Sequence, residues 1–270
     1  MSEAMISGIT AQDAFDPGCI TVMNNSNQDR LRYLNETYCV STTTHIQTLL
    51  ENADIVILAV KPKDVFTALS KAKEYIRPDM LLISVIAGVS ITSIEDIVNQ
   101  KVAVIRTMPN TSAAVGKSAT AIALNASVTD KQLQIAKALL ETIGRVTIVN
   151  EEQLDAVTGL SGSGPAYLYY FIEAMEDAAA QIGLEKAAAK ELILQTFTGA
   201  VDMLLHSAKE PEQLRKDVTS PGGTTEAGLN ILEKREVKQA FIDCIVEATQ
   251  QSKRLGQKIS EEIKEQTLSI

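Results

Sequence analysis

The chain has 270 residues, 45% of them hydrophobic, and a formal net charge of -9. This length admits two domains and a substantial core, while the acidic balance excludes the clustered Lys and Arg on which general affinity for nucleic acid depends. No apolar run reaches the roughly 20 residues of a membrane span, and the N-terminus MSEAMISGIT has no basic region followed by an apolar core, which predicts a cytoplasmic protein with no membrane partner. Cys19, Cys39 and Cys244 are odd in number and widely spaced, predicting reduced, buried thiols. With only His45 and His206, no metal site is expected.

Met1 to Ile9 reads as a helix with Ala4, Met5 and Ile9 on one side and Gly8 where a neighbour packs closely. Cys19 to Met23 (CITVM) is a short β-rich run that ends in Asn24-Asn25-Ser26-Asn27, and Arg30 to Tyr38 follows as a helix. Asp54 to Val60 (DIVILAV) is a near-continuous aliphatic run bounded by Lys61-Pro62, the pattern of a parallel strand covered on both faces. Leu81 to Ile86 repeats it and ends in Ala87-Gly88, and Val102 to Met108 ends in Pro109-Asn110-Thr111. Small or turn-forming residues at these strand ends leave room for a flat ring at the carboxyl edge of the sheet, where ligands bind in open α/β folds. Ala119 to Asn125 and Val146 to Val149 supply further strands, separated by a helix over Asp130 to Ile143 that Gly144 stops. The first domain is expected to close at residue 150.

Beyond Glu151 the periodicity is helical: Gln153 to Leu160, Ala166 to Gly183, Glu185 to Ser207 and Lys238 to Leu255. Ser161-Gly162-Ser163-Gly164-Pro165 is either a kink between helices or an exposed helix N-terminus. Residues 151-270, rich in Ala and Leu, are expected to bury their apolar faces against a second copy, as a homodimer or a dimer-based higher oligomer.

The most informative stretch is Pro211 to Glu233 (PEQLRKDVTSPGGTTEAGLNILE). At its centre stand Ser220 as a capping residue, Pro221 suited to a first helical turn, Gly222 and Gly223, and the hydroxyls of Thr224 and Thr225. Read from the residues alone this is a capped helix start, and equally a cradle for a carboxylate or phosphate, because first-turn N–H groups lack intrahelical partners. The segment resembles the signature of the pyrroline-5-carboxylate reductases, the enzymes that make proline: a Leu-x-x-x-Val lead, Thr-Ser-Pro-Gly-Gly-Thr-Thr, then Ala227-Gly228-Leu229 and Leu232-Glu233. The similarity extends along nearly the whole chain, and Ala59-Val60-Lys61-Pro62 is similar to that family's Ala-Val-Lys-Pro.

The resemblance implies a Rossmann-like parallel-sheet domain over residues 1-150 and an all-α substrate-binding and dimerisation domain over 151-270. It implies NADPH-dependent reduction of 1-pyrroline-5-carboxylate to L-proline. Ser220, Gly222, Gly223, Thr224 and Thr225 would hold the substrate: the N–H groups of Gly222, Gly223 and Thr224 on its carboxylate, the Thr225 hydroxyl on its ring nitrogen as the catalytic group. Ala59, Val60, Lys61, Pro62, Ala87, Gly88, Pro109 and Asn110 would border the cofactor, with Asn24, Asn25 and Ser26 around the adenosine ribose. A strand ending in Asn and Ser, with Arg30 nearby, suits the 2′-phosphate of NADPH, whereas NADH is ordinarily met by an acidic residue; NADH stays open as the alternative. MSEAMISGI looks like the Met-x-Glu-Ala-Met part that follows the family's first strand and Gly-x-Gly turn. Those two features are not in this sequence, and the expectation is a natural protein that is longer at this end, the alternative being a version without the strand.

Two other readings compete with this one. The β-hydroxyacid dehydrogenases carry Gly-x-Gly-x-x-x-Lys-x-x-x-Asn, and laid on Gly162-Ser163-Gly164 that pattern puts Leu168 and Ile172 at the lysine and asparagine positions, so the proton-transfer groups of alcohol oxidation are gone. The second is a non-enzymatic or cofactor-deficient relative with a binding or regulatory role.

Overall fold

The computed structural model describes residues 1–12 and 15–268. The chain packs as two units, one comprising Met1–Ser163 with Glu247–Ile270, the other Gly164–Val246. The first unit contains, in order, α1 (Ser2–Thr10), β1 (Thr21–Met23), α2 (Gln28–Tyr38), β2 (Ser41–Thr43), α3 (Ile46–Leu50), β3 (Ile55–Leu58), α4 (Val65–Ala72), β4 (Leu81–Ser84), α5 (Ile91–Val98), β5 (Ala103–Met108), β6 (Ser118–Leu124), α6 (Asp130–Glu141), β7 (Gly144–Ile148) and α7 (Leu154–Val157).

The strands form a parallel pair, β1-β2, and a five-stranded sheet in the order β3-β4-β5-β6-β7. β3, β4 and β5 run parallel, with Ile57 opposite Ile83 and Ile83 opposite Ile105. β6 runs antiparallel to β5, and β7 parallel to β6. The reversal follows from connection length. Residues 109–117 hold a single 3-10 segment, Thr111–Val115, whereas a parallel return needs a crossover of about a dozen residues or more.

Alternation along the strands sorts the core into two layers. Leu82 and Val104 face α4 and α5, joining Leu69, Ile94 and Ile263. Ile83 and Ile105 face the other way, onto Met5 and Ile9 of α1 and Leu140 of α6. Each fully buried Ile or Leu of this kind stabilises the unit by about 1.5–3 kcal/mol. Gly8 permits the α1 contact, since a Cβ there would stand 2.7 Å from Ile143 Cγ2. β4 is buried at all four positions, but β3, expected to be covered on both faces, is only half-buried at each. Among the described strands β3 pairs with β4 alone, so its other edge leaves its side chains partly open.

The second unit holds α8 (Gly164–Gln181), α9 (Lys186–His206), α10 (Pro211–Asp217), α11 (Thr224–Lys234) and the beginning of α12 (Val237–Leu268), which runs on into the first unit. Gly183, at φ +82°, ends α8. The Glu185 carboxylate accepts from the N–H groups of Ala187 and Ala188 to start α9, and these bonds hold its carboxyl below the usual carboxylate range. Ser161–Pro165 proves to be a junction, a π-turn over Thr158–Gly162 running into α8. α12 continues past the expected end at Leu255 to Leu268, and the added turns carry Ile259 and Ile263 onto the core of the first unit.

Within the second unit, Ala179, Ala189 and Ile193 are the buried hydrophobic residues among those described. Large apolar side chains stand in solvent, Ile182 at 75% and Tyr170 at 71% exposure, with Leu168, Leu205 and Ile231 also exposed. Tyr167 and Phe171 of α8 pack edge-on against Phe241 of α12 at 5.9 and 5.6 Å. The expectation of buried thiols is corrected: Cys19, Cys39 and Cys244 are free and exposed. Cys19 precedes β1 and Cys39 caps α2 in a left-handed conformation, both outside the covered faces.

Candidate functional site

The segment between α10 and α11 is a tight turn with a helix growing out of it. The Ser220 carbonyl accepts from Gly223 N–H at 3.0 Å, Pro221 sets the first central position, and Gly222 takes the second at φ +73°. This is the pattern of a type II turn, which demands glycine where Gly222 stands. The helix therefore starts one turn later than Ser220 and Pro221 suggest: Gly223 is the N-cap and α11 begins at Thr224. Ser220 is a turn residue, its carbonyl committed to the turn.

The donors differ correspondingly from expectation. Gly223 N–H is used within the turn, and Gly222 N–H donates to Glu226 Oε2 at 2.7 Å. Of the three N–H groups expected to face a carboxylate, that of Thr224 has no acceptor among the described residues, and neither do those of Thr225 and Glu226 behind it. Thr225 is exposed, and its hydroxyl has no partner among the described residues. Helix dipole and first-turn N–H groups together make this a place for negative charge. Sequence reasoning missed Glu226, although a glutamate at the third helical position is the signal of a side chain that reaches back toward the backbone ahead of its helix; here it takes the N–H of Gly222, one residue before the N-cap.

The other candidate residues lie in the first unit. Ala59–Pro62, Ala87–Gly88 and Pro109–Asn110 follow the carboxyl ends of β3, β4 and β5, so the parallel run gathers them at one edge. Ala59, Val60, Lys61 and Ala87 are exposed there, whereas Pro109 is buried. The Asn110 side chain is occupied: Nδ2 donates to the Ser161 carbonyl at 3.0 Å and Oδ1 accepts from Ser112 N–H at 3.1 Å. Asn110 thus ties the loop after β5 to the π-turn, and Met108 packs beside Gly162, where a Cβ would lie 2.7 Å from its Cε.

Gly88, at φ +77°, sits against α12, a Cβ there meeting Ile259 Cδ1 at 3.0 Å. It borders a 490 Å³ cleft lined also by Arg106, Asp155 and Lys253. Arg106, with its side chain 11% exposed, pairs with Glu151 at 3.0 Å. Glu151 also accepts from Ile91 N–H at 2.8 Å, fastening the segment after β7 to the start of α5.

Asn24, Asn25 and Ser26 follow β1, in the two-stranded sheet. Asn24 Oδ1 accepts from the N–H groups of Ser26 and Asn27 at 3.2 and 3.0 Å, which curls this loop, while Asn25 and Ser26 are exposed. Arg30 turns toward α1, where it pairs with Glu3 in a half-exposed ion pair and lies over the Tyr33 ring. Glu3 also accepts from the hydroxyls of Tyr33 and Tyr38 at 3.0 and 3.1 Å. The Arg30 bond first, and then that from Tyr33, hold the Glu3 carboxyl below the usual carboxylate range; burial, and then the bond to Glu3, raise the Tyr38 phenol.

Because the folded-state value of Glu3 is depressed, its contribution is complete above the unfolded-state value of about 4.3 and is lost as pH falls through the folded one. Glu3→Gln is therefore expected to lower Tm by about 2 °C at neutral pH, as a half-exposed ion pair allows. The gap to wild type closes in acid; a gap independent of pH would remove the carboxylate from the account.

An α/β unit whose parallel strand ends are left open, with a helical unit bearing a glycine-rich turn and an exposed apolar surface, defines a class: a two-part oxidoreductase with a Rossmann-like nucleotide domain and a helical dimerisation domain. Residues 1–88 match the family described as NADP oxidoreductase coenzyme F420-dependent, and residues 151–255 match pyrroline-5-carboxylate reductase dimerisation. Pyrroline-5-carboxylate reductase 2 of Bacillus subtilis is 50% identical over 260 residues, covering 96% of this chain and 93% of that protein. Among solved structures, a pyrroline-5-carboxylate reductase from Coxiella burnetii superposes with a TM-score of 0.87 at 36% identity, covering 94% of both chains. The Plasmodium falciparum pyrroline carboxylate reductase with NADP bound gives 0.86 at 29% identity, covering 95% of this chain and 94% of that one. The chain belongs to the pyrroline-5-carboxylate reductase family.

Proposed function

We propose that this protein reduces 1-pyrroline-5-carboxylate to L-proline with NADPH as hydride donor, the last step of proline biosynthesis. The observation that carries the reading is the Ser220–Gly223 turn feeding α11, with unsatisfied first-turn N–H groups and an unpartnered Thr225 hydroxyl, in a chain of this family. The substrate has a carboxylate and a ring nitrogen a few bonds apart. The N–H groups of Thr224 and Thr225 receive the carboxylate, Gly222 and Gly223 shape the turn that presents them, and the Thr225 hydroxyl bonds the ring nitrogen. As that nitrogen becomes an amine it gains a proton, which the hydroxyl relays from solvent without having to be a strong acid.

The loops after β1, β3, β4 and β5 fit a phosphorylated dinucleotide. Residues 24–27 offer neutral amide and hydroxyl groups and no carboxylate, so nothing in that loop repels a 2′-phosphate. Ala59, Val60 and Ala87 leave small, exposed surface at the sheet edge for the nicotinamide half. When bound, NADPH supplies the hydride that reaches the imine carbon.

Residues 1–150 act in this reading as the dinucleotide-binding domain and 151–270 as the substrate-binding and dimerisation domain. The exposed Leu168, Tyr170, Ile182 and Leu205 are covered by the second copy of a homodimer, or of a higher assembly built from it. No helix among the described residues is long and apolar enough to cross a membrane, and we place the protein in the cytoplasm. The test is an assay with synthetic 1-pyrroline-5-carboxylate: NADPH should disappear one for one with the appearance of proline, and faster than NADH at equal concentration. Cofactor loss without proline would overturn the assignment.

A further inference from the structure

We infer that Glu226 is a positioning residue for substrate binding: its carboxylate locks the Pro221–Gly222 peptide in the orientation that presents the first turn of α11. The inference rests on the reading of Ser220–Thr225 as the substrate cradle. Type I and type II turns share their chain path and differ by a flip of the central peptide, here the one joining Pro221 to Gly222. In the type II form the Gly222 N–H points away from the turn and finds no acceptor inside it. Glu226, four residues on, takes that N–H at 2.7 Å, a charge-assisted bond of the stronger kind.

The turn itself is closed by one further bond, Gly223 N–H to the Ser220 carbonyl at 3.0 Å, which both turn types satisfy equally. Glycine at 222 tolerates either form, because it adopts positive and negative φ with equal ease. Among the hydrogen bonds of the described residues, the Glu226 bond is the one that selects between them. It also occupies an N–H otherwise open to the substrate carboxylate, which directs that group to Thr224 and Thr225.

The experiment compares Glu226→Ala and Glu226→Gln with wild type by steady-state kinetics on 1-pyrroline-5-carboxylate and by hydrogen exchange of the Gly222 amide. Glu226→Ala should raise KM about 2- to 10-fold, the worth of one net hydrogen bond, with kcat changing less and Gly222 exchange accelerated. Glu226→Gln keeps an oxygen acceptor and should recover most of both losses. A KM that falls in Glu226→Ala would mean that the carboxylate obstructs the site, and overturns the inference, as would an unchanged Gly222 exchange rate. A wild-type chain whose turnover does not depend on the pyrroline carboxylate overturns the cradle and this inference with it; the exchange rates distinguish that failure from failure of the Glu226 contact alone.

Discussion

Replacing Thr225 by alanine is expected to lower kcat about 10²- to 10⁴-fold, the range for loss of a positioned proton donor, while Thr225→Ser keeps most of the activity. Thr225 is the second residue of α11, exposed, with a hydroxyl that no described residue engages, so removing its side chain breaks no internal hydrogen bond and the fold should persist. Serine returns the hydroxyl at the same Cβ and loses only the methyl group that restricts its rotamer. Thr224→Ala should cost much less, because Thr224 contributes its backbone N–H, which alanine retains. Thermal denaturation of each variant beside the kinetics separates chemistry from folding. Equal activities for Thr225→Ala and Thr225→Ser would remove the hydroxyl from the mechanism.

Gly144→Ala should destabilise the first unit by about 3 kcal/mol or more, among the larger effects of a single substitution. Gly144 opens β7 at φ +149°, and a Cβ there would lie 2.1 Å from the Ser118 carbonyl oxygen and 2.3 Å from its nitrogen. Both atoms are backbone of the paired strand, in register with Gly144 and held by the Ser118 N–H bond to the Ile143 carbonyl. No rotamer change can yield that space, so β6 and β7 must separate. The damage should reach the ligand edge as well, because the Ser118 hydroxyl accepts from Asn110 N–H at 3.1 Å. Gly116→Ala is the control. Gly116 is also left-handed, at φ +69°, but a Cβ there meets nothing within 4 Å, leaving a cost of about 1–2 kcal/mol from backbone strain alone. A Gly144→Ala protein that melts within a few degrees of the Gly116→Ala protein would refute the steric account.

Features that depend on local chemistry are legible in the residues. Aliphatic runs bounded by Lys61-Pro62 and Ala87-Gly88 sit in the structure as β3 and β4 with turns after them, because β-branched residues and turn formers act over a few positions. Gly8 was legible as a packing glycine and meets Ile143. The Ser-Pro-Gly-Gly-Thr-Thr stretch was legible as a break with a helix growing out of it, since each residue type has a backbone reason to be there, and α11 does begin at Thr224; helix start and anion cradle stayed equally open until the resemblance to the reductase signature was added.

Other features depend on partners distant in the chain or on the choice between nearly equal local forms. The antiparallel β6 came from the length of its connection and its pairing with β5, and the half-open β3 from which strands lie beside it. The Asn110 side-chain amide binds the Ser161 carbonyl, 51 residues away in sequence, a contact of which its own loop gives no sign. Arg30 was read toward a phosphate and is held by Glu3. At the cradle, Ser220-Pro221 could begin a helix or a turn at similar local cost. Gly222 in the left-handed region, fixed from Glu226, settles it as a turn, and a hydrogen bond from a side chain to one particular backbone N–H is visible only once the chain has bent to make it.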